Sequence, residues 1–589
     1  MSVDKKTALS LLFDRPKEPV FKEKGEDGVI FEVPKSFVAE RFSDVAFEVQ
    51  NRFGDNTNPR YTINQTKNID VSKFTNGLAR DAPFSLWIPR HSKIATQLIN
   101  LFMAQKTIDD LISTAAYVRD RINPQLFSYA LSVVTLHRKD TKGVDIPNYV
   151  ETFPDKFVDP RALRQAREDL NVINSGSRTP IVIPRDFTGS DLDPEHKLWY
   201  FREDLGINLD ITEVERARDN FIQAVNQGFA VTKTGERLPL DEVRGIDYLG
   251  DMMEASPVLS PNFNLYGNLH NSLHNIIGYS HDPDHRHLEN FGVIGDSTTA
   301  MRDPVFYRVH TYVDEIFQLH KAKLNPYTAQ QLTFPGIVVN SIQVQETTSQ
   351  ARPNVLNTFW QQSDVNLSRG MDFLPRGDVF VRFTHLQHIP FNYSFNVTNT
   401  SGAQRLGMAR IFMGVRNGFN RQPMNYNDQR IMMMEMDKFP IQMRPGQNTI
   451  NRRSSDSVVT IPYEQTFRNQ DVGRPTGGAA LAEFEICGCG WPDHMLIPRG
   501  TTAGQKFDLY VMVSDYEEDR IDQDLVGQCT QASAYCGIRD RKFPDRKAMG
   551  YPFDRNARGG VSNLQQFLTP NMKTAEVNIV FNDRVTPRN

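Results

Sequence analysis

His270 and His274 stand four residues apart in NLHNSLHNIIGY, so on a helix their imidazoles project from one face, one turn apart. A loop broken by Pro283 and several glycines follows, and a second helical run then presents His310. Two imidazoles from one helix and a third from its neighbour converge between them. Three neutral imidazoles suit copper or zinc, and facing helices of a bundle are a natural place to hold such an ion. An isolated HxxxH is weak, because the same spacing often marks a solvated helix face. The sequence holds 13 histidines, and no other three of them form a helix-borne triad. His281, His285 and His287 lie in a proline-containing loop and cannot all face one site from a helix. His91 and His137 read as structural or surface residues.

The elements that must position this triad belong to a chain of 589 residues, a length for which the prior is about four domains. Lys plus Arg is 67 and Asp plus Glu is 71, a net of −4, which offers no basic surface for nucleic acid. The first apolar run is cut by Asp14 and Pro16 and makes a poor secretory signal. No stretch reaches the roughly 18–20 apolar residues that span a bilayer, so no membrane partner is expected. The cysteines are Cys487, Cys489, Cys529 and Cys536. Two disulfides are expected among three available pairings, with zinc ranked lower because the pair is CxC rather than CxxC.

Segments around 37–53, 84–105, 107–122 and 123–139 carry apolar residues at spacings of three and four and predict helices. Thr107 with Asp109 and Asp110 provides one helix start. From about Gln330 the texture changes to alternating runs such as GIVVNSIQVQ, DVFVRFTHLQH, YSFNVTN, ARIFMGV, AEFEIC, FDLYVMVSDY and AEVNIVF. Seven or so strands of this kind predict an immunoglobulin-like β-sandwich. The fold class is therefore multidomain α plus β. An N-terminal helical domain spans residues 1–175, a metal-binding helical bundle 176–329, and a sandwich 330–589.

The string HDPDHRHLE, then FGVIGDSTTAMRDPVFYR ahead of His310, resembles the second copper-binding half of arthropod prophenoloxidases, in the hemocyanin and hexamerin superfamily. The resemblance implies that His270, His274 and His310 ligate the second copper, CuB. It implies that Glu289, in HLENFG, is the carboxylate that takes the phenolic proton. Arg52-Phe53, in NRFG, would be the bond cut on activation, making residues 1–52 a propeptide. Phe84 would occupy the place of a phenylalanine that plugs the site before activation, although an ordinary core aromatic reads equally well there. The disulfides would be Cys487–Cys529 and Cys489–Cys536. CGCGWPDHMLIPRG is also similar to a C-terminal signature sometimes compared with complement thioesters; no Gln follows Cys489 closely, so thioester chemistry is rejected.

The same resemblance implies o-hydroxylation of monophenols and oxidation of catechols to quinones, with O2 as co-substrate and copper as cofactor, in melanin synthesis and innate immunity. An activating serine protease and a homo- or heterodimer of phenoloxidase subunits are the implied partners. Release into haemolymph by cell rupture would reconcile disulfides with the missing signal peptide.

One departure stands out. In the family a phrase like FREDLGINL runs into a helix dense with His and Trp, which helps to bind the first copper, CuA. Here Leu209 is followed by Asp210-Ile211-Thr212-Glu213, a phrase that resembles the family only beyond the whole CuA segment. A coupled two-copper site needs six imidazoles, and three are found. Catalysis is expected to be impaired or lost, at most one copper is expected, and Leu269, Leu273 and Ile277 are expected to be exposed where CuA helices would lie. The alternatives are a non-catalytic, hexamerin-like storage or regulatory partner subunit and, disfavoured by Glu289, an oxygen carrier.

Overall fold

The structure is a computed structural model. It describes residues 4–17, 69–80, 82–158, 163, 211–255, 258–282, 291–370, 380–461, 490–522 and 543–587, with short strands at 181–182, 200–202 and 207–209. Arg52, Phe53, Glu289 and all four cysteines lie outside the described residues. The chain divides into two compact units, residues 1–320 with 365–381 and residues 321–364 with 382–589.

The first unit is helical. Its N-terminal part packs α1 (Lys5–Leu11), α2 (Pro89–Met103), α3 (Ile108–Arg119) and α4 (Pro124–His137) around Leu98, Phe102, Leu111, Leu126 and Phe127. Local chemistry sets the boundaries. Thr107 and Asp110 form the expected capping box at the start of α3, and Asn123 caps α4 with Pro124 at its first position. Buried Arg119 donates to the carbonyls of Leu12, Asp14 and Arg15, tying the N-terminal turn to α3.

His91, on the first turn of α2, is fully buried and accepts from the Ser85 amide through Nδ1 at 3.2 Å. Burial pushes its pKa down to about 4. In the unfolded chain it would titrate near the ordinary histidine value of about 6.5, so below that pH the unfolded state binds the extra proton. The unfolding temperature of the helical unit is therefore expected to fall as pH drops from 6.5 towards 5, above the carboxylate range. His91→Asn should flatten that slope. A melting temperature constant across this window would contradict the assignment.

The second part of the unit holds α5 (Ile211–Gln227), α6 (Gly245–Met253), α7 (Leu269–Tyr279) and α8 (Pro304–Lys321). A short antiparallel pair, Tyr200–Arg202 with Ile207–Leu209, runs up to the start of α5. Val214, Ala217 and Phe221 of α5 share a core with Ile88, Leu269, Ile276 and Ile316. The expected exposure of α7 is corrected here. Leu269 is 1% exposed, and Leu273 and Ile277 are half-buried, because α5 and the segment before α2 cover the helix. On α8, Tyr307 remains 50% exposed.

The second unit is the expected sandwich. Its strands are β1 (Ile337–Glu346), β2 (Val355–Asn366), β3 (Phe380–His388), β4 (Phe391–Asn399), β5 (Arg405–Val415), β6 (Met433–Met443), β7 (Gly446–Arg453), β8 (Gln505–Asp515) and β9 (Met572–Pro587). One sheet includes the order β3-β2-β9-β8-β5-β6, and the other runs β7-β4-β1. Strict alternation in β4 buries Phe391, Tyr393, Phe395 and Val397 between the sheets. β5 is buried on both faces. Ala409, Ile411 and Met413 face the inter-sheet core, while Phe412 packs with Tyr510, Phe553 and Phe567 on the other side. Among the described residues no helix is long and apolar enough to cross a membrane.

Candidate metal centre

α7 presents His270 and His274 from one face, and α8 supplies His310 opposite them, as the spacing predicts. Nε2 of His270 lies 3.0 Å from Nε2 of His274 and 3.1 Å from Nε2 of His310. The three ligand atoms fall within 4.8 Å of one another.

The second ring nitrogens explain why the Nε2 atoms face inward. His274 Nδ1 lies 2.7 Å from the Ile294 carbonyl, and His310 Nδ1 lies 2.8 Å from the Phe306 carbonyl. A carbonyl only accepts, so both rings carry their proton on Nδ1 and present a bare Nε2 lone pair. His270 Nδ1 faces the Glu254 carboxylate at 3.4 Å. Lone pairs this close repel one another unless a proton or a cation lies between them. Ligand bonds of about 2.0–2.1 Å in a tetrahedral set place nitrogens about 3.3 Å apart, so a small opening of the triad accommodates a metal ion.

Burial strips water from the rings. His274 is fully buried and its pKa is pushed down to about 3, chiefly by desolvation, with the neighbouring imidazoles adding to the effect. The same cause lowers His310. Both are neutral, as metal ligands must be, across the physiological range. The Glu254 carboxyl is held below its usual range, first by its interaction with His270.

Aromatic rings wall the centre. Trp87 stacks on His274 with centroids 3.6 Å apart and planes 16° apart, and Phe306 stacks on His310 at 3.8 Å. Asn275 of α7 donates to the Trp87 carbonyl at 3.2 Å and fixes the indole's position. Phe84 is buried against His91 and Tyr129, at centroid distances of 5.9 and 6.0 Å, and it is Trp87 that meets the triad. Trp87 stood in the same FSLWIPRH phrase, but helical spacing does not tell which aromatic of an extended approach faces inward. Glu254 had no distinguishing sequence signal either.

The loop that carries Ile294 is seated by glycines. A Cβ on Gly278 would meet Phe291 at 2.8 Å and the Gly295 backbone at 2.9 Å, while the Gly292 amide donates to the Gly278 carbonyl at 2.8 Å. Backbone cannot step aside as a flexible side chain can. Gly278→Ala is therefore expected to push segment 291–295 off α7, cost roughly 1–3 kcal/mol of stability, and weaken metal binding by loosening the Ile294 contact. Thermal unfolding with a metal-competition titration checks both effects.

A mainly helical unit with an imidazole triad between helices, and an immunoglobulin-like sandwich after it, are the features of a copper protein of the hemocyanin type. Family profiles agree: the hemocyanin all-alpha domain matches residues 22–143, and the hemocyanin ig-like domain matches 326–581. The hemocyanin copper containing domain matches in two pieces, 148–210 and 209–317, which meet at Leu209–Asp210. The chain is 47% identical to Phenoloxidase 2 of Drosophila melanogaster and 44% identical to Phenoloxidase subunit 1 of Bombyx mori, with 99% of each chain covered in both comparisons. A scorpion hemocyanin in its activated state superimposes with a TM-score of 0.76 at 29% identity, covering 99% of this chain and 100% of that one. A crustacean hemolymph-type prophenoloxidase shares the fold at a TM-score of 0.78 and 23% identity, covering 98% and 96%. The chain belongs to the arthropod prophenoloxidase family. Its alignment with the Drosophila protein nevertheless spans 685 positions, and 589 residues leave at least 96 of them (685 less 589) without a counterpart here.

Proposed function

We propose that this chain is a phenoloxidase-family zymogen that retains only the CuB half of a two-copper site and has lost ordinary phenol oxidation. The observation that carries this reading is an imidazole triad of His270, His274 and His310 in a chain whose copper-domain match breaks at Leu209–Asp210. The unmatched positions in the Drosophila alignment support the same deletion.

His270, His274 and His310 would hold the ion through Nε2. A copper pair supplies the two electrons that O2 takes up, and a single one-electron centre supplies half of them. The protein's own part in the chemistry is to exclude water with Trp87 and Phe306 and to keep His274 and His310 neutral. Glu289 would take the phenolic proton as substrate approaches, a task that suits a positioned carboxylate. Phe84 would occupy the place of the phenylalanine that plugs the site before activation, with Trp87 covering the triad itself.

The same reading includes cleavage at Arg52-Phe53 by a serine protease and the bridges Cys487–Cys529 and Cys489–Cys536. It also includes pairing with phenoloxidase subunits, an extracellular location, and the three-domain division at 175/176 and 329/330. A non-catalytic regulatory partner subunit is the second reading, favoured by how well α5 and Trp87 cover the remaining half-site. Copper analysis of the purified chain, before and after cleavage, paired with a catechol-oxidation assay, tests the proposal; sustained turnover would overturn it.

A further inference from the structure

His270 differs from its two fellow ligands in what holds its second nitrogen. Backbone carbonyls face Nδ1 of His274 and His310 and leave those rings no choice of tautomer. His270 Nδ1 faces no carbonyl. It is buried without a well-aligned hydrogen bond, and the Glu254 carboxylate lies 3.4 Å away. On its other side, His270 Nε2 has two acceptor nitrogens at 3.0 and 3.1 Å. The ring therefore has two competing tautomers. With the proton on Nδ1, directed at Glu254, Nε2 is free for a metal. With the proton on Nε2, directed at His274 or His310, the triad closes on itself and the ligand position is blocked.

We propose that Glu254 is the positioning residue that selects the metal-ready tautomer of His270. The inference rests on reading the triad as a copper site. A negative oxygen facing Nδ1 favours the proton there, and a cation at Nε2 strengthens the same contact, the carboxylate–histidine–metal relation seen around many metal ions. The backbone is built to deliver this carboxylate. Glu254 closes α6 with its amide donating to the Gly250 carbonyl at 2.9 Å. The next residue, Ala255, is buried in the left-handed region at φ 52°, a conformation that alanine rarely adopts and that tends to persist where function needs it. The Glu254 carbonyl accepts from Asn271 Nδ2 at 3.4 Å, which ties it to the residue beside His270. Its side chain is 66% exposed, so removing it opens no core cavity.

Two variants of the full chain separate charge from structure, Glu254→Ala and Glu254→Gln. The 15N NMR of the metal-free, histidine-labelled protein, with His270 assigned by its loss in His270→Gln, reports the tautomer directly. Competition against a colorimetric chelator gives Cu⁺ affinity. The expected result is Nδ1–H at His270 in the parent chain and Nε2–H in Glu254→Ala. Cu⁺ affinity should be weaker by roughly 10- to 100-fold, Glu254→Gln should fall between, and the metal-free melting temperature should not change. An unshifted tautomer, or an unchanged Cu⁺ affinity in a chain that binds Cu⁺, overturns the proposal. If the parent chain takes up no Cu⁺, the copper reading fails, and the tautomer measurement still judges Glu254 by itself.

Discussion

Purified after copper loading, this chain is expected to hold one ion per molecule and to show no detectable turnover of catechols or monophenols, cleaved or uncleaved. The expectation follows from a count and a geometry. One triad is assembled among the described residues, with Nε2 atoms 3.0 and 3.1 Å apart and with His274 and His310 kept neutral by burial. Where at least 96 positions of the Drosophila relative lack a counterpart, the helices that would carry another triad are the segment proposed to be missing. Trp87 gives an independent readout, because an indole 3.6 Å from a ligand ring should lose fluorescence when Cu²⁺ binds at His274. His274→Ala should remove both the bound ion and the quenching. Two ions per chain together with turnover would mean that other side chains rebuild the missing half, and the functional reading would fall.

The second large effect lies in the sandwich. Arg410→Ala is expected to destabilise it by roughly 3–5 kcal/mol, because it strands buried carboxylates rather than deleting a surface pair. Arg410 is 4% exposed within β5 and donates to Asp545 at 2.7 Å and Asp519 at 2.8 Å, with Ser514 at 3.2 Å. Lys438, its neighbour across the β5–β6 register, reaches Asp545 at 3.1 Å. Burial alone would lower the guanidinium's pKa, yet Asp545 and Asp519 hold it above its ordinary value. Without Arg410, Lys438 beside Asp545 and the partly exposed Lys547, 3.7 Å from Asp519, are left to balance two buried carboxylates. At roughly 2–4 °C per kcal/mol for a unit of this size, calorimetry should show the sandwich transition lowered by about 6–20 °C. Arg410→Lys keeps the charge but loses the two-pronged geometry and should fall between. A shift within about 1 kcal/mol would show that the network contributes little.

The sequence by itself determined the periodic and local features of this protein. A four-residue histidine spacing put His270 and His274 on one helix face, Thr107 announced a helix start, and alternating runs marked β1, β3, β4, β5, β8 and β9. These follow from backbone geometry over a few residues, which is why they are legible without a fold. The break in the copper-domain match at Leu209–Asp210 was legible for another reason, since it is a discontinuity in the order of the family's phrases along the chain. Strands β2, β6 and β7 were not anticipated. Their polar residues and the Pro440 within β6 hide the period, and their place is set by neighbouring strands. Tertiary structure alone decided the details of the site. The acceptors that fix His274 and His310 are main-chain carbonyls of Ile294 and Phe306, and any residue type carries a carbonyl. Whether Phe84 or Trp87 meets the triad depends on how one extended segment is laid across α7, and Asn275 settles it with a bond to the chain rather than to a side chain. Glu254 reaches His270 only because α6 ends in a left-handed turn beside α7. Ligand identity is written in side chains; His310 is oriented within its own helix by the Phe306 carbonyl one turn earlier, whereas His274 and His270 meet Ile294 and Glu254 only once the helices have packed.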